Sequence, residues 1–189
     1  MKNGYTLVEL SISVSIMAML AVGALHIIDK KNSANALRDT LTKLDKIELQ
    51  LKQFKKHHGY YPCPTSDDNL CDSGMIPIKQ LGLPKKYLTD GWHTPFMYRI
   101  ATNANNPNIV KLSHFRGNIS IVDLHGTPKT YTHMPPPYHY GAEYVIISYG
   151  KNGLNSSNLA EVANQTHDPF RTYTQSGPTS VFDDIVRFY

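Results

Sequence analysis

At 189 residues the chain has room for one ordinary domain and an appendage, and is too short for two full domains. A hydrophobic share of 41% against 18% charged residues excludes wholesale disorder. The net charge of +4 is that of 19 Lys and Arg against 15 Asp and Glu, and the basic residues are scattered along the chain, which removes a basic nucleic-acid-binding stripe from consideration and leaves an ordinary charged surface.

A polar leader, Met1-Lys2-Asn3-Gly4, precedes a nearly unbroken run of apolar and small residues over 5–28 that contains no Pro. As a helix rising about 1.5 Å per residue, this run is long enough to span a hydrocarbon core of about 30 Å. Ser11, Ser13 and Ser15 dilute its apolarity, and Glu9 sits inside it. An ionised carboxylate in hydrocarbon costs several kcal/mol unless it is neutralised or paired, so Glu9 calls for a cationic partner. The run holds no Lys or Arg and His26 is far along the helix, which puts that partner in another molecule. The alternative is a glutamate that is protonated or reaches out to the interface.

The stretch Gly4-Tyr5-Thr6-Leu7-Val8-Glu9-Leu10 resembles the signal of type IV pilins and type II secretion pseudopilins, whose pattern is Gly, an aromatic, Thr, Leu, an aliphatic and Glu. In that family a membrane peptidase cuts after the Gly and methylates the new N-terminus. The resemblance therefore implies cleavage between Gly4 and Tyr5 and N-methylation of Tyr5, with Tyr5 standing where Phe is usual. It also implies a partner for Glu9: the free α-amino group of the neighbouring subunit, which would give each incoming subunit a register and a reason to dock.

Beyond the apolar run, Ala34, Leu37, Leu41, Leu44, Ile47, Leu51 and Phe54 recur every three or four residues, so an amphipathic helix continues through 29–58. Gly59 is a natural stop and Pro62 follows it. Residues 5–58 are thus expected to form one helix of about 80 Å, membrane-spanning in its first half and covered by its own domain in the second. His26 lies where many family members carry a Pro, which leaves a bend there open.

Residues 59–189 read as a β-rich head. Cys63 and Cys71 flank a polar loop that a short disulfide can staple, adding about 2–3 kcal/mol and pointing to an oxidising compartment. Two free thiols are the alternative; zinc is disfavoured because there is no second Cys pair. Strand-like runs at 96–100, 109–112, 119–122, 144–148 and 185–189 suit an antiparallel sheet, giving an α+β fold. Residues 103–108 and 132–140 read as loops, and the polar stretch 151–178 as mostly unstructured.

Two patches extend the resemblance toward the major pseudopilin type. Asp90-Gly91-Trp92-His93-Thr94-Pro95 resembles a D-P-W-G-x-P turn that opens the family's sheet, and Ser148-Tyr149-Gly150-Lys151-Asn152-Gly153, with Asp183-Asp184-Ile185 later, resembles an S-x-G-x-D-G … D-D-I calcium loop. The resemblance implies calcium ligands at Asn152, Asp183 and Asp184. Asn152 replaces an Asp, however, and a long insertion separates it from the Asp pair, both of which weaken a site that needs several hard oxygens. The alternative is that Asp183 and Asp184 cap a turn before the last strand.

Nine histidines invite a catalytic or metal reading, but their spacing fits no metal helix motif, and the sequence has no nucleophile elbow, phosphate loop or dinucleotide fingerprint. The expectation is a non-enzymatic fibre subunit, held in the bacterial inner membrane with a periplasmic head before assembly. Its partners would be copies of itself, other pilin-like subunits, the prepilin peptidase and the inner-membrane assembly platform, with no nucleic acid unless the fibre serves DNA uptake. Two other readings share the same apolar run: a single-pass anchored binding domain that is never processed, and a secreted soluble domain cut near Ala21 to Ala24.

Overall fold

The computed structural model describes residues 6–65, 71, 73–101, 106, 119–122, 141–153, 172–174 and 184–189. Two compact units divide the chain, residues 1–36 and residues 37–189. A single helix, α1 (Leu7–His58), runs for 52 residues, close to the span expected from the sequence.

In the first unit every side chain from Thr6 to Asn32 is exposed. The helix here is long and apolar enough to cross a membrane. Two of its serines turn inward on the backbone: the Ser11 hydroxyl donates to the Val8 carbonyl at 2.8 Å and the Ser15 hydroxyl to the Ser11 carbonyl at 2.9 Å. Their polar groups are satisfied within the helix, so they weaken its compatibility with lipid less than composition suggests.

In the second unit α1 becomes one-sided. Thr40, Leu44, Ile47 and Leu51 are buried, and Leu37, Leu41 and Phe54 pack partly buried against the same core. Ala34 is exposed, so the stripe begins at Leu37 and not at Ala34. The helix stops at Gly59, whose φ of 81° only glycine adopts readily, and the Gly59 N–H closes the last turn on the Lys55 carbonyl at 2.7 Å.

The described strands are β1 (Ser73–Met75), β2 (Met97–Ile100), β3 (Ser120–Val122), β4 (Tyr144–Ser148), β5 (Thr172–Thr174) and β6 (Ile185–Phe188). Four of them form an antiparallel sheet in the order β1-β2-β4-β6, with Tyr98 opposite Ile146 and Ile147 opposite Val186. β2 and β4 are buried along their whole length, which is why 144–147 reads as a continuous apolar run instead of an alternation.

The structure departs from the expected sheet in three places. β3 does not join it but pairs in parallel with β5, Ile121 opposite Tyr173. β5 in turn lies inside the stretch read as mostly unstructured: Thr-Tyr-Thr has strand propensity, but three residues are too few for a periodicity to emerge. β1, Ser-Gly-Met, has no counterpart in the sequence reading because its residues are poor strand formers; pairing places it, Met75 meeting Met97 on one side and bridging to Thr65 on the other. The run 109–112 and the loop 132–140 lie outside the described residues.

A buried carboxylate ties these parts together. Asp90 is fully buried; its Oδ1 accepts from the Trp92 and Thr94 N–H groups, each at 2.9 Å, and its Oδ2 accepts from the Ser148 hydroxyl at 2.7 Å. Helix α1 holds the same turn, since Thr40 Oγ1 accepts from the Gly91 N–H at 2.8 Å and Lys43 Nζ donates to the Thr89 and Asp90 carbonyls at 3.0 and 3.2 Å. One turn thus joins the helix, the entry to β2 and the end of β4. Burial pushes the Asp90 carboxyl above the usual aspartate range, against the lowering pull of the Ser148, Thr94 and Trp92 hydrogen bonds and of Lys43. Within the turn His93 adopts φ 68°, a left-handed conformation that explains the glycine at this position of the pseudopilin pattern.

A second polar link fixes the other end of the head. Glu143 Oε2 accepts from Lys55 Nζ at 2.5 Å and from the Tyr61 hydroxyl at 2.7 Å, joining the last turn of α1 to the start of β4. The Tyr61 ring meets Tyr144 edge-on at 5.2 Å, and burial drives the Tyr61 phenol well above its ordinary range.

These contacts set measurable expectations for the intact chain in micelles, followed by the fluorescence of Trp92, its one tryptophan. Asp90→Ala strands two buried N–H groups and lowers stability to urea by about 2–4 kcal/mol. With its folded pKa raised, Asp90 binds more protons in the folded than in the unfolded state between pH ~4 and the folded value. Asp90's contribution to wild-type stability therefore falls as pH rises through that window, and Asp90→Asn removes that contribution, leaving a shallower slope. His93→Gly goes the other way, raising stability by about 1 kcal/mol through relief of the left-handed φ.

Candidate functional site

The first described residues build a local structure around Glu9. The Thr6 N–H and the Thr6 hydroxyl both donate to Glu9 Oε2 at 3.0 Å, and the Thr6 hydroxyl accepts from the Glu9 N–H at 3.3 Å. The Thr6 carbonyl accepts the first intrahelical bond, from the Leu10 N–H at 3.1 Å. This is a capping box, Thr at the N-cap and Glu three residues on, each satisfying a donor that the helix start leaves open. A carboxylate in the first turn also lies at the positive end of the helix dipole.

Glu9 therefore has a partner inside its own chain, which the charge argument from the sequence misses because that partner is neutral. The signal was present as Thr-x-x-Glu ahead of an apolar run. Among the described residues the second carboxylate oxygen, Oε1, has no hydrogen bond, and the whole group is exposed. Chemically this is an anion held in a fixed place at the tip of an apolar rod, with acceptor capacity left over. Gly4 and Tyr5, the expected cleavage and methylation positions, lie outside the described residues.

Cys63 and Cys71 form a disulfide, with Cα atoms 5.0 Å apart. Both cysteines of the chain are accounted for. The bridge lies between the end of α1 and β1, and beside it the Tyr98 hydroxyl donates to the Pro62 carbonyl at 3.3 Å. Its place in the head is that of a staple and not of a reactive pair.

Of the expected calcium ligands, Asn152 lies exposed in the turn that follows β4, and Asp184 lies buried immediately before β6. The pairing of Ser148 with Ile185 brings these two segments to one end of the sheet. Glycines with positive φ at Gly150 and Gly153 shape the turn, and a Cβ on Gly153 would sit 3.4 Å from Thr94 Oγ1, so the turn packs against the one built around Asp90. Asp183 lies outside the described residues. Among the described residues no group of three His, Cys, Asp or Glu could hold a metal.

The capping box predicts that Thr6→Ala loosens the first turn of α1 by about 1 kcal/mol, whereas Thr6→Ser leaves it intact. Amide hydrogen exchange at residues 7–10 in micelles reads this directly: faster exchange in the alanine variant only. Equal exchange in all three proteins would mean that the box does not form.

No curated protein and no solved structure matches the chain. A family model does match its beginning: residues 1–25 fit the prokaryotic N-terminal methylation motif. The matched segment contains the expected cleavage position, Thr6, Glu9 and most of the exposed apolar helix. With one long N-terminal helix and a small antiparallel four-stranded sheet behind it, the chain has a pilin-like α+β fold under a prepilin-type signal, consistent with the type IV pilin and pseudopilin family.

Proposed function

We propose that this chain is a structural subunit of a type II secretion pseudopilus or a related type IV pilus-like fibre. Prepilin peptidase cuts it between Gly4 and Tyr5 and methylates Tyr5, and the mature subunit waits in the inner membrane with its head in the periplasm. Subunits then stack through their N-terminal helices, together with other pilin-like subunits and an inner-membrane assembly platform. The observation that carries this reading is the methylation motif over residues 1–25, leading into a helix whose side chains are exposed from Thr6 to Asn32.

A surface that apolar is not left in water, and its Glu9 is not left without a counter-charge in lipid. Packing among sister helices answers the first requirement. The α-amino group of a neighbouring subunit answers the second, since Thr6 supplies hydrogen bonds to Glu9 but no charge. The disulfide fits an oxidising compartment for the head. The chain's role is mechanical, and force for extending the fibre comes from a separate motor.

In cells carrying the processing peptidase and assembly machinery, Glu9→Ala is expected to reach the membrane at normal levels while fibre yield falls at least about tenfold, the effect of losing a few kcal/mol of charge pairing. Normal fibre yield from that variant would contradict the mechanism. A wild-type chain that stays in the membrane as a single subunit under the same conditions would instead favour an anchored binding domain.

A further inference from the structure

Strand β1 is the weakest member of the four-stranded sheet, and it covers the edge of β2, which is buried along its whole length. Its sequence, Ser-Gly-Met, has low strand propensity, with a glycine in the middle. The direction of its backbone groups follows from its outer neighbour. The Met75 N–H donates to the Thr65 carbonyl at 3.0 Å and the Thr65 N–H to the Met75 carbonyl at 2.9 Å, so both polar groups of Met75 point away from β2. Successive residues of an antiparallel strand alternate in this direction, which leaves Gly74, opposite Tyr98, as the residue of β1 that turns its N–H and carbonyl toward β2. On the far side of β2 the Ala101 N–H donates to the Glu143 carbonyl at 2.8 Å. The same alternation therefore turns the Met97 and Arg99 amides toward β4 and the Tyr98 amide toward β1.

One hydrogen-bonded pair on a three-residue strand is a weak hold, so what anchors the flanks of β1 decides whether the edge stays closed. Cys71 stands just ahead of β1, and its bond to Cys63 ties it to a turn in which Pro62 and Pro64 are buried. Directly after β1 comes Ile76, 1% exposed. In the bonded chain the anchors on either side of β1 are thus Cys71 and Ile76. With the bond open the nearest anchor ahead of β1 is Pro64, and the longer stretch between anchors gains more entropy when β1 lets go.

We propose that the disulfide is a compartment-dependent latch on the sheet edge: β1 closes over β2 once Cys63 and Cys71 are oxidised, and in the dithiol form β1 lets go while the rest of the sheet holds. Closing joins the two sulfurs and gives up two protons and two electrons to a disulfide oxidant, which leaves as a dithiol. An oxidising compartment supplies that class of oxidant. An open β2 presents the Tyr98 N–H and carbonyl as an unpaired edge, a template for pairing with another chain, and the closed latch removes it. The proposal does not depend on fibre assembly, because every residue in it lies within the unit 37–189.

The test is amide hydrogen exchange by NMR on the intact chain in micelles. Three samples are compared: the oxidised protein, the same protein reduced with a phosphine, which the half-buried cysteines admit, and Cys63→Ser/Cys71→Ser. In both open forms the Tyr98 amide is expected to exchange about 30- to 100-fold faster, the equivalent of about 2–3 kcal/mol of loop-closure stabilisation. Met97, Arg99 and Ala101, whose amides face β4, are expected to change less than about threefold. A rise at Tyr98 of less than about tenfold would overturn the proposal, because the edge then holds without the bond. So would a rise of similar size at all four amides, the mark of a bond that stabilises the whole head or of a chain that fails to fold without it.

Discussion

Everything in this chain hangs on one continuous helix that must satisfy its backbone internally while its side chains meet two different surroundings. From Thr6 to Asn32 the side chains are exposed, and up to Ile28 they are mostly apolar, whereas over 37–58 they are buried on one side only. A helix can do both because its hydrogen bonds are local and indifferent to what surrounds the side chains. Its two ends then become the vulnerable points, since each leaves backbone groups without partners. Thr6 and Glu9 close the start reciprocally, and Gly59 closes the end.

The capping box changes how Glu9 is to be understood. A bare carboxylate on an apolar helix would be a liability before any neighbour arrived. Held by the Thr6 N–H and hydroxyl, it has hydrogen-bond partners in the single subunit and is already positioned when a cationic partner comes within reach. Hydrogen bonds from a neutral residue do not replace a counter-charge, so the drive to find one remains. In the proposed fibre, one short motif would thus make the free subunit tolerable and the assembled state preferable.

The head follows a different logic, in which a few buried polar groups fix what the apolar core alone would leave loosely specified. Leu44, Ile47 and Leu51 of the helix supply burial against the sheet residues, a favourable but non-directional contribution. Direction comes from Asp90, which aligns a turn with the end of β4, and from Glu143, which joins the helix end and the start of β4 across 88 positions of sequence. Both oxygens of buried Asp90, and Oε2 of half-buried Glu143, are engaged by N–H, O–H or ammonium donors, the condition under which taking a carboxylate out of water is tolerable. Sequence periodicity made the helix and β4 legible, because a 3.6-residue stripe and an apolar run are local patterns. The disulfide was legible from the spacing of Cys63 and Cys71. Asp90 was marked only as part of a family-like turn, and Glu143 not at all: beyond Asp90's own turn, where Trp92 and Thr94 donate to it, their partners are tens of residues away and no local pattern announces them. β1 and β5 were missed for a related reason: three-residue strands are defined by what they pair with, and Ser-Gly-Met or Thr-Tyr-Thr carries too little signal alone.

The account stands or falls on the start of the mature chain. N-terminal peptide mass spectrometry on protein from cells carrying the processing peptidase reads it in one step. A chain that begins with N-methylated Tyr5 is the predicted result. A chain beginning near Leu25 would mean a secreted soluble domain, and an intact Met1 would mean an anchored domain that never enters a fibre; either would contradict the account.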